Sequence, residues 1–176
     1  GSDGGTSDEH LVPGHGEQPV AETLQLLGAS SWEGVIGVEI NTRGADDDIA
    51  LITTGERGLL ECDYGDWQGR PLKDLATEPL WKVVQSHPSA AVFPGGESMT
   101  GMQARAVAAI RRHDAEIEAE HGPGAVWVAV SHGDIIKSVL ADALGMHLDM
   151  FQRLEVGPAS VSIVTYGASR PRVWAT

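Results

Sequence analysis

The pattern of apolar and polar positions predicts helices most clearly in the middle of the chain. Residues 71–85 carry apolar side chains at helical spacing, and Pro79 is expected to divide this stretch into two helices. Ser98 is a good N-cap for a longer helix that runs to about Glu120. The side chains expected to face the core from this longer helix are Met102, Ala106, Ala109, Ile110 and Ile117.

The last third of the chain alternates apolar strands with a helix. The continuous apolar run 125–130 predicts a strand that is covered on both faces. A helix is predicted over 134–144, and the alternating residues 160–166 predict another strand. Helices that alternate with apolar strands predict an α/β domain with a largely parallel sheet.

The first third shows weaker patterns. Residues 17–27 are compatible with a short helix, residues 34–40 with a strand and residues 49–53 with a weak second strand. We expect residues 1–9 to be a flexible lead and residues 10–176 to form a single domain. Because the chain begins with Gly-Ser and lacks an initiating Met, we leave open whether its natural start is missing.

Composition and charge narrow the class of protein. The net charge of −13 argues against a nucleic-acid partner, which would require clustered Lys and Arg. No apolar run approaches the roughly 20 residues needed to span a bilayer, so no membrane partner is predicted. The single cysteine, Cys62, cannot form an internal disulfide, and this predicts that the protein is located in the reducing cytoplasm. Residues 1–66 carry a net charge of −12 and residues 67–176 only −1, so a small anion would meet less repulsion in the second region.

The most informative segment reads Val-Ser-His-Gly-Asp at 130–134, between an apolar strand and a helix. Ligands of open α/β sheets bind beyond the carboxyl ends of the strands. Gly133 lets the backbone approach a ligand, and the helix start offers free N–H groups that hold anions. His132 adds a donor that titrates near neutral pH. The segment therefore predicts a phosphate-type anion site; the alternative is a buried histidine that caps the sheet edge.

A second segment, residues 61–70, places Glu61 before an aromatic, glycine-rich turn that ends at Arg70. A carboxyl group beside such a turn can have a raised pKa and act as a general acid. The alternative is a solvated glutamate, and Arg70 is either an anion ligand or a surface charge. Cys62 is better explained as a packed small residue, and Ser131 as a support for the turn. No third ligand accompanies His132 and Asp134, so neither a metal nor a cofactor is predicted.

Taken together, the ordered motifs resemble those of the histidine phosphatase superfamily, the phosphoglycerate mutase-like proteins, and are most similar to its actinobacterial phosphatases. The resemblance covers residues 59–166 and rests on several separate motifs. They are Leu60-Glu61 with Tyr64-Gly65-Asp66-Trp67-Gln68-Gly69-Arg70, Phe93-Pro94-Gly95-Gly96-Glu97-Ser98 opening a helix that carries Arg105, and Ser131-His132-Gly133-Asp134. It implies a three-layer α/β/α domain with a mostly parallel central sheet.

The resemblance also implies a mechanism. One histidine attacks phosphorus and becomes phosphorylated, and water later releases phosphate. A second histidine and arginines stabilise charge on the transferring oxygens, while a glutamate protonates the leaving oxygen. His132 matches the second histidine and Glu61 matches the acid. The expected partner is a small phosphorylated molecule, and a homodimer is left open.

The family's nucleophile motif, Leu-x-Arg-His-Gly, is not intact. Its nearest counterpart contains His15, but a glycine stands where the arginine is expected, and a second alignment implies that the whole first strand is absent. Arg43 is a displaced candidate for another phosphate-binding arginine, and Glu39 nearby would repel a phosphate. Two hypotheses therefore stand. In the first, the chain is a phosphomonoesterase with catalytic residues His15, His132 and Glu61, and phosphate is bound by Arg43, Gly133 and Arg70. In the second, the chain is a catalytically silent relative that binds an anion or a protein. Different acid–base chemistry on the same scaffold is a third possibility.

Overall fold

The computed structural model describes residues 34–39, 56–123, 125–167 and 169–175, with the backbone alone described for 34–39 and for residue 175. The segments predicted over 1–9, 17–27 and 49–53 lie outside these residues. The question of a missing first strand therefore also concerns a part of the chain that the structure does not describe.

Strands and helices follow one another along the described residues. In chain order they are β1 (Gly34–Glu39), α1 (Leu72–Leu75), α2 (Pro79–Ser86), α3 (Met99–His121), β2 (Val126–Ser131), α4 (Gly133–Ala143), β3 (Val161–Thr165) and β4 (Arg172–Ala175). Short 3-10 helices lie at Arg57–Leu59, Gly65–Trp67, Pro88–Ala90 and Leu148–Arg153. No helix among the described residues is long and apolar enough to cross a membrane.

The helices predicted within the described residues are confirmed. Pro79 lies in the first turn of α2, where proline is tolerated, and separates this helix from α1. The Ser98 hydroxyl caps α3 by accepting a hydrogen bond of 3.0 Å from the backbone N–H of Gly101. The predicted inward side chains of α3 are buried except Ile117, which is half-buried.

The described sheet is mixed, with strand order β2-β1-β3-β4. β1 is parallel to β2, whereas β3 is antiparallel to both β1 and β4. The expectation of a mostly parallel sheet is therefore not met among the described strands. β3 is antiparallel to β1 because of the long connection after α4, which includes the 3-10 helix Leu148–Arg153. This connection brings the chain back to the carboxyl ends of β1 and β2, and β3 starts there. β4 was not predicted from the sequence.

The described helices α3 and α4 pack on one face of this sheet. Ala129 and Ser131 of β2 face that core and are 6% and 5% exposed. Val126 and Val128 point to the other face and remain 38% and 42% exposed. The prediction that β2 is covered on both faces is therefore wrong for these two side chains, because the described helix packed against β2 covers only the face of Ala129 and Ser131. The third layer stays a prediction.

The loop after Glu61 is closely packed against the loop before α3. Asp66 donates its backbone N–H to the carbonyl of Pro94 at 2.8 Å. Gly65 has φ +52°, and a Cβ on this residue would lie 2.2 Å from the Pro94 carbonyl oxygen. Only glycine satisfies both the left-handed backbone and this close approach.

Arg105 joins α3 to the segment that precedes Glu61. Its guanidinium forms an ion pair of 2.6 Å with Glu97. It also donates hydrogen bonds to the backbone carbonyls of Arg57, Gly58, Leu60 and Glu61. Leu60 and Glu61 follow the 3-10 helix Arg57–Leu59 and belong to no helix or strand, so Arg105 satisfies two carbonyl groups that no regular element pairs.

Three glycine-to-alanine variants separate backbone strain from steric clash. Gly65→Ala should lower the free energy of unfolding by about 2–3 kcal/mol, since it adds a clash to the strain of a left-handed residue. Gly69→Ala has φ +75° but open space around the added Cβ, so about 1 kcal/mol is expected. Gly157→Ala, which meets open space, should change stability by less than about 1 kcal/mol. Urea unfolding measures all three, and equal losses for Gly65→Ala and Gly69→Ala would contradict the packing of the two loops.

Replacing arginine by lysine at two positions of α3 tests the Arg105 contacts. Arg105→Lys should cost about 2 kcal/mol or more, because at net values near 1 kcal/mol per bond several carbonyl hydrogen bonds are lost. Arg111→Lys is the matched control: Arg111 forms an exposed ion pair of 2.9 Å with Asp142, which lysine can retain. Urea unfolding of both variants gives the comparison, and equal stabilities would show that the carbonyl contacts contribute little.

Candidate functional site

His132 lies where the sequence predicted, between the end of β2 and the start of α4. Its backbone is extended, and its carbonyl accepts a hydrogen bond of 2.9 Å from the backbone N–H of Ile136. Its imidazole makes no capping hydrogen bond to the helix. Gly133 follows as the first residue of α4, so the helix start and the positive end of its dipole lie beside His132.

Glu61 lies next to His132. The carboxylate Oε2 of Glu61 is 3.8 Å from Nδ1 of His132, and its Oε1 accepts a hydrogen bond of 2.8 Å from the backbone N–H of Cys62. The two side chains are 39% and 23% exposed, so both are open to solvent or to a ligand. The structure therefore brings together the two residues that sequence analysis placed in separate segments.

The protonation of His132 is set by its surroundings. Burial lowers the pKa of the imidazole below 6.5, and the nearby positive charge of Arg105 lowers the pKa further. A neutral imidazole is therefore favoured at neutral pH. A bound anion would offset both effects and favour the protonated form.

Tyr64 and Asp134 tie the loop after Glu61 to the start of α4. The Tyr64 hydroxyl donates a hydrogen bond of 3.0 Å to Asp134 Oδ2, and the Tyr64 ring packs edge-on against Phe93 with centroids 5.0 Å apart. Burial first, then the charges of Asp134 and Glu61, raise the pKa of Tyr64 well above its ordinary value, so the hydroxyl stays a donor. Sequence analysis missed this pair; a carboxylate in the first turn of a helix was its only signal.

Two nucleophile-like side chains near the site have structural roles. The hydroxyl of Ser131 donates a hydrogen bond of 2.7 Å to the carbonyl of Leu59. Cys62 is buried, and burial together with the charges of Glu97 and Glu61 raises the pKa of its thiol to about 12. The thiolate is therefore not available near neutral pH, in agreement with the sequence interpretation of both residues.

The remaining predicted site residues are Arg70, His15 and Arg43. Arg70 pairs with Glu78 at 2.6 Å and is 40% exposed, so a carboxylate already occupies its guanidinium. His15 and Arg43 lie outside the described residues. No group of three or more histidine, cysteine, aspartate or glutamate side chains in the described ranges could hold a metal ion.

A groove of about 360 Å³ opens beside His132. Leu60, Val128 and Trp127 line part of it, and the pair formed by Glu56 and His113 lines another part. The His113 ring is 2.7 Å from the Glu56 carboxylate. The groove therefore has both apolar and polar walls, and His132 is one of the residues that line it.

The strand next to β2 in the sheet, β1, ends close to the residue that precedes His132. β1 runs parallel to β2, and the Cα of Glu39 is the register partner of the Cα of Ser131. The two strands thus end side by side, with Glu39 as the last residue of β1. An acidic residue therefore occupies the strand end next to the predicted anion site.

Solved structures share this fold. YhfR of Bacillus stearothermophilus is 19% identical, with 89% of this chain and 79% of that chain covered and a TM-score of 0.65. The mycobacterial glucosyl-3-phosphoglycerate phosphatase, solved with VO3, is 24% identical, with 96% and 86% covered and a TM-score of 0.63. The Entamoeba histolytica phosphoserine phosphatase, solved with 3-phosphoglyceric acid, is 18% identical, with 96% and 84% covered and a TM-score of 0.62. At these identities the likeness shows the fold, which is phosphoglycerate mutase-like.

Comparison at the level of sequence gives one short match to a relative and one match to a family model. An uncharacterized protein of Mycobacterium tuberculosis strain H37Rv is 49% identical over 39 residues, which make up 22% of this chain and only 14% of that protein. The model of the histidine phosphatase superfamily (branch 1) matches residues 43–175, most of the chain. The chain therefore belongs to the histidine phosphatase superfamily, branch 1.

Proposed function

We propose that this chain is a phosphatase that hydrolyses a small phosphomonoester through a phosphohistidine intermediate. The observation that carries the proposal is the 3.8 Å separation of the Glu61 carboxylate and the His132 imidazole at the start of α4. A proton donor for the leaving oxygen and a donor for the phosphoryl oxygens are thus adjacent, beside a helix start that favours an anion.

The proposed reaction has two steps. A histidine nitrogen, assigned to His15 by resemblance, attacks phosphorus while the ester P–O bond breaks, and protonated Glu61 gives its proton to the leaving oxygen. The Glu61 carboxylate then accepts a proton from the water that attacks the phosphohistidine. The P–N bond breaks and inorganic phosphate leaves. Arg43, Arg70 and the backbone N–H of Gly133 are the proposed phosphate ligands.

Two further observations support this proposal. The groove beside His132 provides space for the alcohol part of a small ester. Among the similar structures, the mycobacterial enzyme is a phosphatase solved with VO3, an oxyanion that resembles phosphate. For the reaction on a small phosphorylated metabolite we expect a location in the cytoplasm and no metal or other cofactor.

A second candidate function is an anion-binding relative without turnover. The observation that favours it is the position of Glu39 at the end of β1, beside the strand end that precedes His132. A carboxylate at this place would repel a phosphate dianion and so oppose its binding. Binding without hydrolysis is the outcome that would select this alternative.

Hydrolysis of p-nitrophenyl phosphate tests the phosphatase proposal directly. His132→Ala should lower kcat by about 100- to 1,000-fold, the usual loss for one charge-stabilising donor. Labelling with a 32P-labelled phosphate donor, quenched in alkaline detergent because phosphohistidine is labile to acid, should trap a phosphoenzyme in the parent and not in His15→Ala. His121→Ala, which changes an exposed histidine at the end of α3, is the matched control and should leave the rate unchanged. Vanadate binding without turnover in the parent would instead select the silent alternative.

The lowered pKa of His132 predicts how anion affinity depends on pH. Since the imidazole of the free protein is neutral at neutral pH and a dianion prefers its protonated form, binding takes up a proton. Sulfate affinity should therefore rise as pH falls from about 7.5 to about 5.5, by up to about tenfold per pH unit, and level off below the pKa of His132. NMR titration with sulfate, which stays dianionic over this range, measures the effect. His132→Gln should remove the pH dependence, and a parent affinity independent of pH would contradict the assignment.

A further inference from the structure

The guanidinium of Arg105 has no N–H group left for a ligand. An arginine side chain has five N–H donors in a fixed planar arrangement. Nη1 donates to the carbonyls of Gly58 and Leu60, both at 2.8 Å. Nη2 donates to the carbonyl of Glu61 at 3.0 Å and to Glu97 Oε1 at 2.6 Å. Nε donates to Glu97 Oε2 at 3.0 Å, which completes the five.

Two of the carbonyl groups that accept these hydrogen bonds lie on either side of the Cα of Glu61 along the backbone. The carbonyl of Leu60 belongs to the peptide plane before Glu61, and the carbonyl of Glu61 belongs to the plane after it. Because each peptide unit is planar, anchoring both carbonyls restricts the two dihedral angles between them. The direction in which the Glu61 side chain leaves the backbone is thereby defined.

The same segment is tied to the strand that leads to His132. The hydroxyl of Ser131, the residue before His132, donates a hydrogen bond of 2.7 Å to the carbonyl of Leu59. Glu97 in turn holds the far side of the loop, since its Oε1 accepts a hydrogen bond of 2.9 Å from the backbone N–H of Asp63. Arg105 is thus the centre of a network that connects α3, the 57–63 segment and β2.

Electrostatics and burial support a permanent arrangement. The side chains of Arg105 and Glu97 are 26% and 24% exposed. Hydrogen bonds from Arg105 lower the pKa of Glu97, and hydrogen bonds to Glu97 raise the pKa of Arg105. Both groups stay charged over the whole neutral range, so the network does not come apart by titration.

We infer that Arg105 is a positioning residue for the general acid: it holds the backbone on both sides of Glu61 so that the carboxyl group stays beside His132, and it does not bind the phosphoryl group. This inference rests on the proposed function, because it assumes that Glu61 protonates the leaving oxygen. It distinguishes Arg105 from the phosphate-binding arginines that such a reaction also needs.

The dependence on the leaving group distinguishes positioning from other roles. p-Nitrophenolate leaves without much need for a proton, whereas phenolate from phenyl phosphate needs one. A variant that misplaces the acid should therefore lose far more kcat/KM on phenyl phosphate than on p-nitrophenyl phosphate. Loss of a phosphate ligand, or a smaller folded fraction, would lower both rates equally, since the two substrates share the phosphoryl group.

The experiment compares four proteins below their unfolding temperatures. Glu61→Gln defines the effect of losing the acid, which in general contributes about 100- to 10,000-fold. Arg105→Lys keeps the charge but has three donors instead of five, and should shift the ratio of the two kcat/KM values in the same direction by at least about tenfold. Arg111→Lys, on the same helix, should leave the ratio at that of the parent.

Each result has a defined meaning. If Glu61→Gln does not shift the ratio, or the parent hydrolyses neither ester, the proposed function fails, not the positioning of Glu61. A crystal structure of Arg105→Lys tests the positioning without activity: the separation of Glu61 Oε2 and His132 Nδ1 should increase clearly from 3.8 Å. An unchanged separation, or an unchanged ratio when Glu61→Gln shifts it, would overturn the inference. If Arg105→Lys does not fold, Glu97→Gln, which weakens the anchor of Arg105, should give the same shift to a smaller extent.

Discussion

One half-buried guanidinium, that of Arg105, holds together the parts of the chain that form the candidate site. Arg105 comes from the long helix α3, yet its hydrogen bonds go to Glu97 and to the carbonyls of an irregular segment before Glu61. Within that segment, Leu60 and Glu61 lie outside the short 3-10 helix Arg57–Leu59 and belong to no helix or strand that would pair their carbonyl groups. A five-donor side chain supplies the missing partners, and lysine could not replace it at so many acceptors. The location of Glu61 follows from this arrangement.

The site is formed where three independent structural features meet. β2 ends at Ser131, so His132 lies at the carboxyl end of a strand. α4 begins at Gly133 and directs its positive end toward the same place. The loop that carries Glu61 is fixed by Arg105 from one side and by the Tyr64–Asp134 hydrogen bond from the other. Cys62, the residue after Glu61, is buried as part of the core.

The environment of His132 explains how such a site could bind and release an anion. Burial disfavours the imidazolium in the empty protein, whereas an incoming dianion favours it. Charge on the histidine is therefore linked to occupancy. Glu39 is the last residue of β1, and its Cα is the register partner of the Cα of Ser131, the residue before His132.

The sequence by itself determined the local elements and the motifs. Helical periodicity, the Ser98 cap and the Pro79 break predicted α1 to α4 closely, because these signals act over a few neighbouring residues. The ordered motifs pointed to the family that the comparisons show. Only the tertiary structure decided the antiparallel direction of β3, the exposure of Val126 and Val128 on β2, the role of Arg105 and the contact of Glu61 with His132. These properties arise between segments far apart in the chain, and no local pattern specifies which carbonyls a distant guanidinium will meet.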